Sequence, residues 1–205
     1  MLFVPGTLHF WQGWVFMVVN LVVAVVFCTY FYKHDRELLA RRLLRKEKVP
    51  AQKFIMFLMK NVAVISYLLC GFDNRFGWSR IYLAPVPWWL NGLALFAYAG
   101  CYLLFIPVFK ANRFAASVIQ VETGQTVIKQ GPYRIVRHPM YLVSLAVWFW
   151  IPLALGSLVA LPVAALIAPV IILRLLNEEK FLQRELPGYA EYCHHTRHRL
   201  IPLVW

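Results

Sequence analysis

From Pro139 to Leu173 the chain carries no charged residue. A stretch of 35 predominantly apolar residues without charge reads as membrane-embedded. As one helix, at ~1.5 Å per residue, it would reach ~50 Å, too far for a ~30 Å hydrocarbon core. Its middle reads Leu155, Gly156, Ser157, with Pro152 just before. Gly and Ser there favour a tight turn. The pattern predicts two short spans, about 140–154 and 158–176, folded as a hairpin.

Three apolar stretches precede it. The first runs from Phe10 to Tyr32, with aromatic residues at its ends. The second covers about Phe54 to Phe72 and is interrupted by Lys60, which is expected to snorkel or pair. The third covers about Trp88 to Phe109 and opens on the interfacial anchor Pro87, Trp88, Trp89. Hydrophobic residues make up 61% of the 205, against roughly 45–50% in a soluble domain. A chain this short has too little interior to hide that excess. The expected fold is a single all-α integral membrane domain with five transmembrane helices. The opening MLFVPGTLHF has neither a basic n-region nor a small-residue cleavage site, so the first span is expected to act as its own signal.

The charges orient these spans. The net charge of +12 would suggest nucleic acid in a soluble protein, but its placement points to a membrane surface. Residues 33–53 carry eight Lys/Arg, residues 110–137 five and residues 174–199 five, whereas the opposite loops carry only Arg75 and Arg80. Five spans put all three basic segments on one face, which the positive-inside rule makes cytoplasmic. The N-terminus is then outside and the C-terminus inside, in the endoplasmic reticulum of a eukaryote or the inner membrane of a bacterium. Residues 33–48 read as a basic helix on the anionic leaflet, with Leu38, Leu39, Leu43 and Leu44 as its apolar stripe.

Several chemistries are disfavoured. The four cysteines, Cys28, Cys70, Cys101 and Cys193, form no CxxC pair, and three lie in apolar stretches, so neither a disulfide framework nor a zinc site is expected. His194 and His198 are four apart, next to His195, but no carboxylate or cysteine completes a ligand set, and no metal is expected. The glycine signatures of soluble nucleotide sites are missing. Without repeat symmetry, a transporter is disfavoured too.

The hairpin returns the chain to the edge it left, so three polar clusters can meet there. They are Tyr133, Arg134, Arg137, His138 and Tyr141; then Arg174, Glu178 and Glu179; then Tyr189, Tyr192, Arg197 and Arg199. Ionisable residues at membrane depth face a cavity or each other. Residues 121–138, with Gly124, Gly131 and two short β-prone stretches, read as an ordered cytoplasmic loop. Residues 1–110 then form three spans and the basic helix, and residues 121–205 the chemical part.

GPYRIVRHPMY (131–141), the charge-free hairpin, NEE (177–179), GYAEY (188–192) and RLIP (199–202) together resemble the isoprenylcysteine carboxyl methyltransferase family. The resemblance covers about residues 121–202. It implies a membrane enzyme that uses S-adenosylmethionine. It implies that Gln130, Gly131, Tyr133, Arg137, His138, Pro139 and Tyr141 surround the methyl donor. Glu178, Glu179, Tyr189 and Tyr192 would close over it. Arg199, three before Pro202, corresponds to the family's arginine near the acceptor; Arg197 is the competing choice, and Arg174 is a further candidate on that side. Related families methylate phospholipid amines or small thiols, and a distant branch contains nicotinamide-dependent sterol reductases.

The chemistry fits such a donor. Arg137 or His138 can hold its carboxylate by charge-assisted hydrogen bonds, and Tyr133, Tyr141 or Trp148 can face its sulfonium. Methyl transfer is an in-line displacement, governed mainly by alignment. A carboxylate acceptor is already ionised near neutral pH and needs an arginine to aim it. An amine must first lose a proton, a task for Glu178 or Glu179. The first expectation is a lipophilic carboxylate such as a prenylcysteine terminus, entering sideways from the bilayer. Phospholipid amines or small thiols stand second, and a nicotinamide-dependent reductase or a non-catalytic lipid-binding protein third.

Overall fold

A computed structural model describes residues 9–44, 50–112, 114 and 124–205. Every regular element among them is helical. Helices α1 (Trp11–His34), α2 (Arg36–Leu44), α3 (Pro50–Phe76) and α4 (Trp78–Tyr82) are followed by α5 (Trp88–Leu103) and α6 (Phe105–Ala111). A single 3-10 turn at Gly131–Arg134 precedes α7 (Pro139–Ala154), α8 (Leu161–Ala165), α9 (Ile167–Glu185) and α10 (Tyr189–His195).

Four stretches are long and apolar enough to cross a membrane: Trp11–His34, Pro50–Phe76, Trp88–Ala111 and Leu161–Glu185. The fifth expected span, α7, is apolar but only 16 residues long, roughly 24 Å at a helical rise of ~1.5 Å. Large apolar side chains such as Leu21, Val22 and Phe96 are exposed, as suits positions that face hydrocarbon.

The hairpin forms with shifted limits. Its second arm starts at Leu161, not 158, and α8 runs into α9 through Leu166, whose backbone stays helical. That helix continues to Glu185, so Arg174, Glu178 and Glu179 lie within it, not beyond its end. The turn needs Gly156, which adopts φ +76°, a left-handed conformation that costs a side chain. It is also fastened from outside. Ser79 Oγ accepts the N–H groups of Leu158 (2.9 Å) and Val159 (3.3 Å) and donates to buried Asp73. Asn91 Nδ2 donates to Leu153 O at 2.7 Å.

Helix α7 packs most extensively on α5, and α9 packs on α3. Phe16, Tyr98, Val147 and Ile151 belong to one continuous core. Helix α2 departs from the expected interfacial stripe. Leu38 is fully buried in the same core as Phe31 and Phe109, and Leu39 packs against it, so that face is turned to protein and not to lipid. Leu43 and Leu44 lie outside the described side chains. All four cysteines are free. Residues 121–123 of the expected ordered loop lie outside the described residues, and residues 124–138 form no strand.

Candidate active site

Pro139 opens α7 at a position whose N–H would have no helical partner. This fixes His138 as the cap and leaves the preceding backbone available for pairing. The tail uses it: Arg137 N donates to His198 O (2.9 Å) and His138 N to Arg199 O (3.0 Å). These two bonds carry Arg199 to the base of α7, beside α9.

Glu179 is the centre of the first cluster. It is only 4% exposed. Its Oε2 accepts from Arg199 Nε at 2.7 Å, and its Oε1 lies 3.3 Å from His138 Nε2. Arg137 Nε approaches Oε1 to 2.9 Å, yet that nitrogen has no aligned acceptor. The proximity makes a buried ion pair without an aligned hydrogen bond. Two guanidinium groups around one carboxylate give the cluster an excess of positive charge.

Glu178 serves a second cluster. It accepts a short hydrogen bond from the Tyr141 hydroxyl, which itself accepts from Arg174 Nε at 3.1 Å. Arg174 and Glu178, four apart on α9, share a helix face. Tyr141 is held between them.

Tyrosines make the third group. Tyr192 donates its hydroxyl to Tyr133 O at 2.6 Å. Asn112 Nδ2 lies 3.3 Å from the Tyr133 hydroxyl, and Tyr189 lies 3.5 Å from His138 Nε2. Burial raises all three phenols above their ordinary value, Tyr192 to about 12. They are therefore neutral hydrogen-bonding rings at any physiological pH.

Two cavities flank this arrangement. One, about 780 Å³ including its opening to solvent, is lined by Arg137, His138, Glu178 and all three tyrosines of the third group. The other, about 760 Å³ on the same measure, lies among α2, α3, α6, α7 and α9 and has methionine and phenylalanine walls. Met140 and Tyr141 line both.

The expected residues are thus distributed unevenly. Tyr133, Arg137, His138, Tyr141, Glu178, Tyr189 and Tyr192 line the polar cavity, and Arg174 lines the apolar one. Glu179 and Arg199 stand behind the polar wall as partners of Arg137 and His138. Gln130 and Gly131 are exposed, and Pro139 is buried as a helix start. Arg134 and Arg197 are exposed. Trp148 packs on Tyr67, ring centroids 6.1 Å apart, and lines neither cavity. His194 and His195 are exposed.

Sequence reasoning missed Asn112 in the polar cavity and Arg42 in the apolar one. Asn112 follows a helix end and carries no pattern of its own. Arg42 had a signal: it lies three and four residues after Leu39 and Leu38, hence on the same helical face.

Residues 89–187 match the phospholipid methyltransferase family, a family of the isoprenylcysteine carboxyl methyltransferase type. The matched segment starts in α5, earlier than the resemblance above, and ends after α9, before α10 and Arg199. No curated protein matches the chain.

Proposed function

Proceeding from a segment of phospholipid methyltransferase type that runs from α5 past α9, we propose that the protein transfers a methyl group from S-adenosylmethionine to a lipophilic acceptor at the cytoplasmic boundary of the membrane. The family supports a membrane methyltransferase. The observation that carries the finer reading is the pair of cavities, one polar and one apolar, with Tyr141 and Met140 as their common wall.

The polar cavity suits the donor. Arg137 and His138, which line it, suit a carboxylate. Tyr133, Tyr189 and Tyr192 offer neutral rings to a cation or an adenine. Glu178 suits ribose hydroxyls or an ammonium. When bound, S-adenosylmethionine supplies an electrophilic methyl group on a sulfonium. The protein's part is alignment: Glu179 fixes Arg137 and His138, while Arg174 and Glu178 fix Tyr141. The full reading has five spans, with the N-terminus outside and these clusters on the cytoplasmic side.

Two acceptor classes lead. A lipophilic carboxylate such as a prenylcysteine terminus needs no base. A phospholipid amine, favoured by the family match, needs one, and Glu178 is the carboxylate that lines the cavity. Radiolabelled methyl transfer by the detergent-purified chain, over lipophilic acids, amines and thiols, tests the proposal. Glu178→Gln abolishes amine methylation at every pH but weakens carboxylate methylation only through donor affinity. Calorimetry that detects no S-adenosylmethionine binding overturns the methyltransferase, and binding of NADPH instead supports a reductase.

A further inference from the structure

Past α10 the tail folds back on itself. Three consecutive backbone N–H groups, those of Arg199, Leu200 and Ile201, donate to Trp205 O at 2.9, 3.0 and 3.2 Å. In return, the N–H groups of Val204 and Trp205 donate to Ile201 O at 3.2 and 3.1 Å. The loop closes through Leu203 at φ +66°, a positive φ that no other non-glycine residue adopts among the described residues. A leucine in that conformation is strained. Leu203 is 90% exposed and Val204 75%, so neither offsets the strain by burial. Strain of this kind persists where the surroundings over-determine it. Here they do so at Trp205.

Trp205 is held at two points besides its backbone. Its side chain packs against the buried cluster that contains Tyr141, Leu175 and Leu200. Arg199 Cζ lies over its ring, 5.2 Å from the centroid, within the ~6 Å reach of a cation–π contact. The same guanidinium donates through Nε to Glu179 Oε2 at 2.7 Å. Glu179 in turn pairs with Arg137 and His138, and those two line the polar cavity. A continuous path of contacts therefore runs from the ring through guanidinium and carboxylate to the cavity wall. Arginine loses rotamer freedom when it is held in one geometry. A flat ring on one side of its planar fork removes that freedom in advance.

We infer that Trp205 is a positioning residue for the polar cavity: its ring fixes the Arg199 guanidinium on Glu179, and Glu179 fixes Arg137 and His138. Trp205 itself lines neither cavity, so it acts through Arg199. Both residues lie beyond the matched segment 89–187, so the tail completes a wall that this segment begins. That the ligand aligned by the wall is S-adenosylmethionine rests on the methyl-transfer reading; that the ring fixes Arg199 does not.

Two substitutions separate the ring from its bulk. Trp205→Phe keeps an aromatic face, and Trp205→Leu keeps an apolar contact without one. In full-length protein in neutral detergent, with no ligand added, modification of Arg199 by phenylglyoxal is followed by peptide mass. The rate rises at least about threefold in Trp205→Leu and stays within about twofold of native in Trp205→Phe. An unchanged rate in Trp205→Leu, or the same rise in both variants, overturns the claim. Should Trp205→Leu fail to fold, Trp205→Met takes its place. The consequence for the cavity is read by calorimetry with S-adenosylmethionine. Trp205→Leu weakens binding about three- to tenfold. In an Arg199→Gln background the same change weakens it less than about twofold, because no guanidinium is left to hold. Equal losses in the two backgrounds mean that Trp205 serves packing only, and they overturn the positioning role. If the native chain binds no S-adenosylmethionine, the methyl-transfer reading falls, and the Arg199 rates alone decide the role of Trp205.

Discussion

Two adjacent glutamates on α9 do different work because a helix turns ~100° between them. Glu178 looks into the polar cavity, while Glu179 looks back at Arg137, His138 and Arg199. Removing the charge of a buried partner leaves arginine uncompensated, which costs about 3 kcal/mol or more. Glu179→Gln therefore lowers the melting temperature and raises the donor KM, read by thermal denaturation and by kinetics. Arg199→Gln costs less, since the Arg199 side chain is 35% exposed. Alkaline pH tests the tyrosines. Burial raises the folded value of Tyr192 from 10 to about 12, so the folded state holds that proton more tightly. The resulting stability is fully present below pH 10 and is lost as pH rises towards about 12. A melting series across that range falls for the native chain, and Tyr192→Phe flattens part of the fall. The choice between Arg197 and Arg199 was not legible locally, because both belong to one Arg-His-Arg triplet. What the backbone bonds from residues 137 and 138 to the tail do is bring Arg199, not Arg197, against Glu179.

At the scale of elements, the hairpin was written in the absence of charge from 139 to 173, and its turn in Gly156. Its fastening was not. Asp73, Ser79 and Asn91 look like ordinary polar residues near span ends, yet Ser79 and Asn91 satisfy backbone groups around the turn and Asp73 holds Ser79 in place. Ser79→Ala strips the acceptor from two N–H groups, a loss of roughly 1–3 kcal/mol for each left unpaired. Gly156→Ala adds left-handed strain of about 1–2 kcal/mol, and its Cβ meets Gln12 Nε2 at 3.3 Å. Both variants melt earlier, with no change in donor affinity until they unfold, because the turn sits at the far end of α7 from His138. Helix α2 misled for a plain reason. A leucine stripe opposite arginines has the same period whether it rests on lipid or on protein, and only Leu38 contacting the core separates the two.

For the whole molecule, the arrangement depends on both ends of the hairpin arms meeting on one side of the membrane. Single cysteines introduced at two exposed positions check it: Glu191→Cys in α10 and Tyr82→Cys in α4, in a background with the four native cysteines replaced. In sealed vesicles a membrane-impermeant maleimide labels them from opposite faces, Glu191→Cys from the cytoplasmic one. Labelling of both from the same face removes the five-span topology.

The wall formed by Met140 and Tyr141 has a kinetic consequence. If one reactant reaches it from solution and the other by diffusing in two dimensions, the quantity that saturates the second cavity is a mole fraction, not a molarity. Diluting the acceptor with inert phosphatidylcholine in vesicles, at fixed total amounts of acceptor and enzyme, then slows turnover, whereas adding buffer at a constant lipid ratio does not.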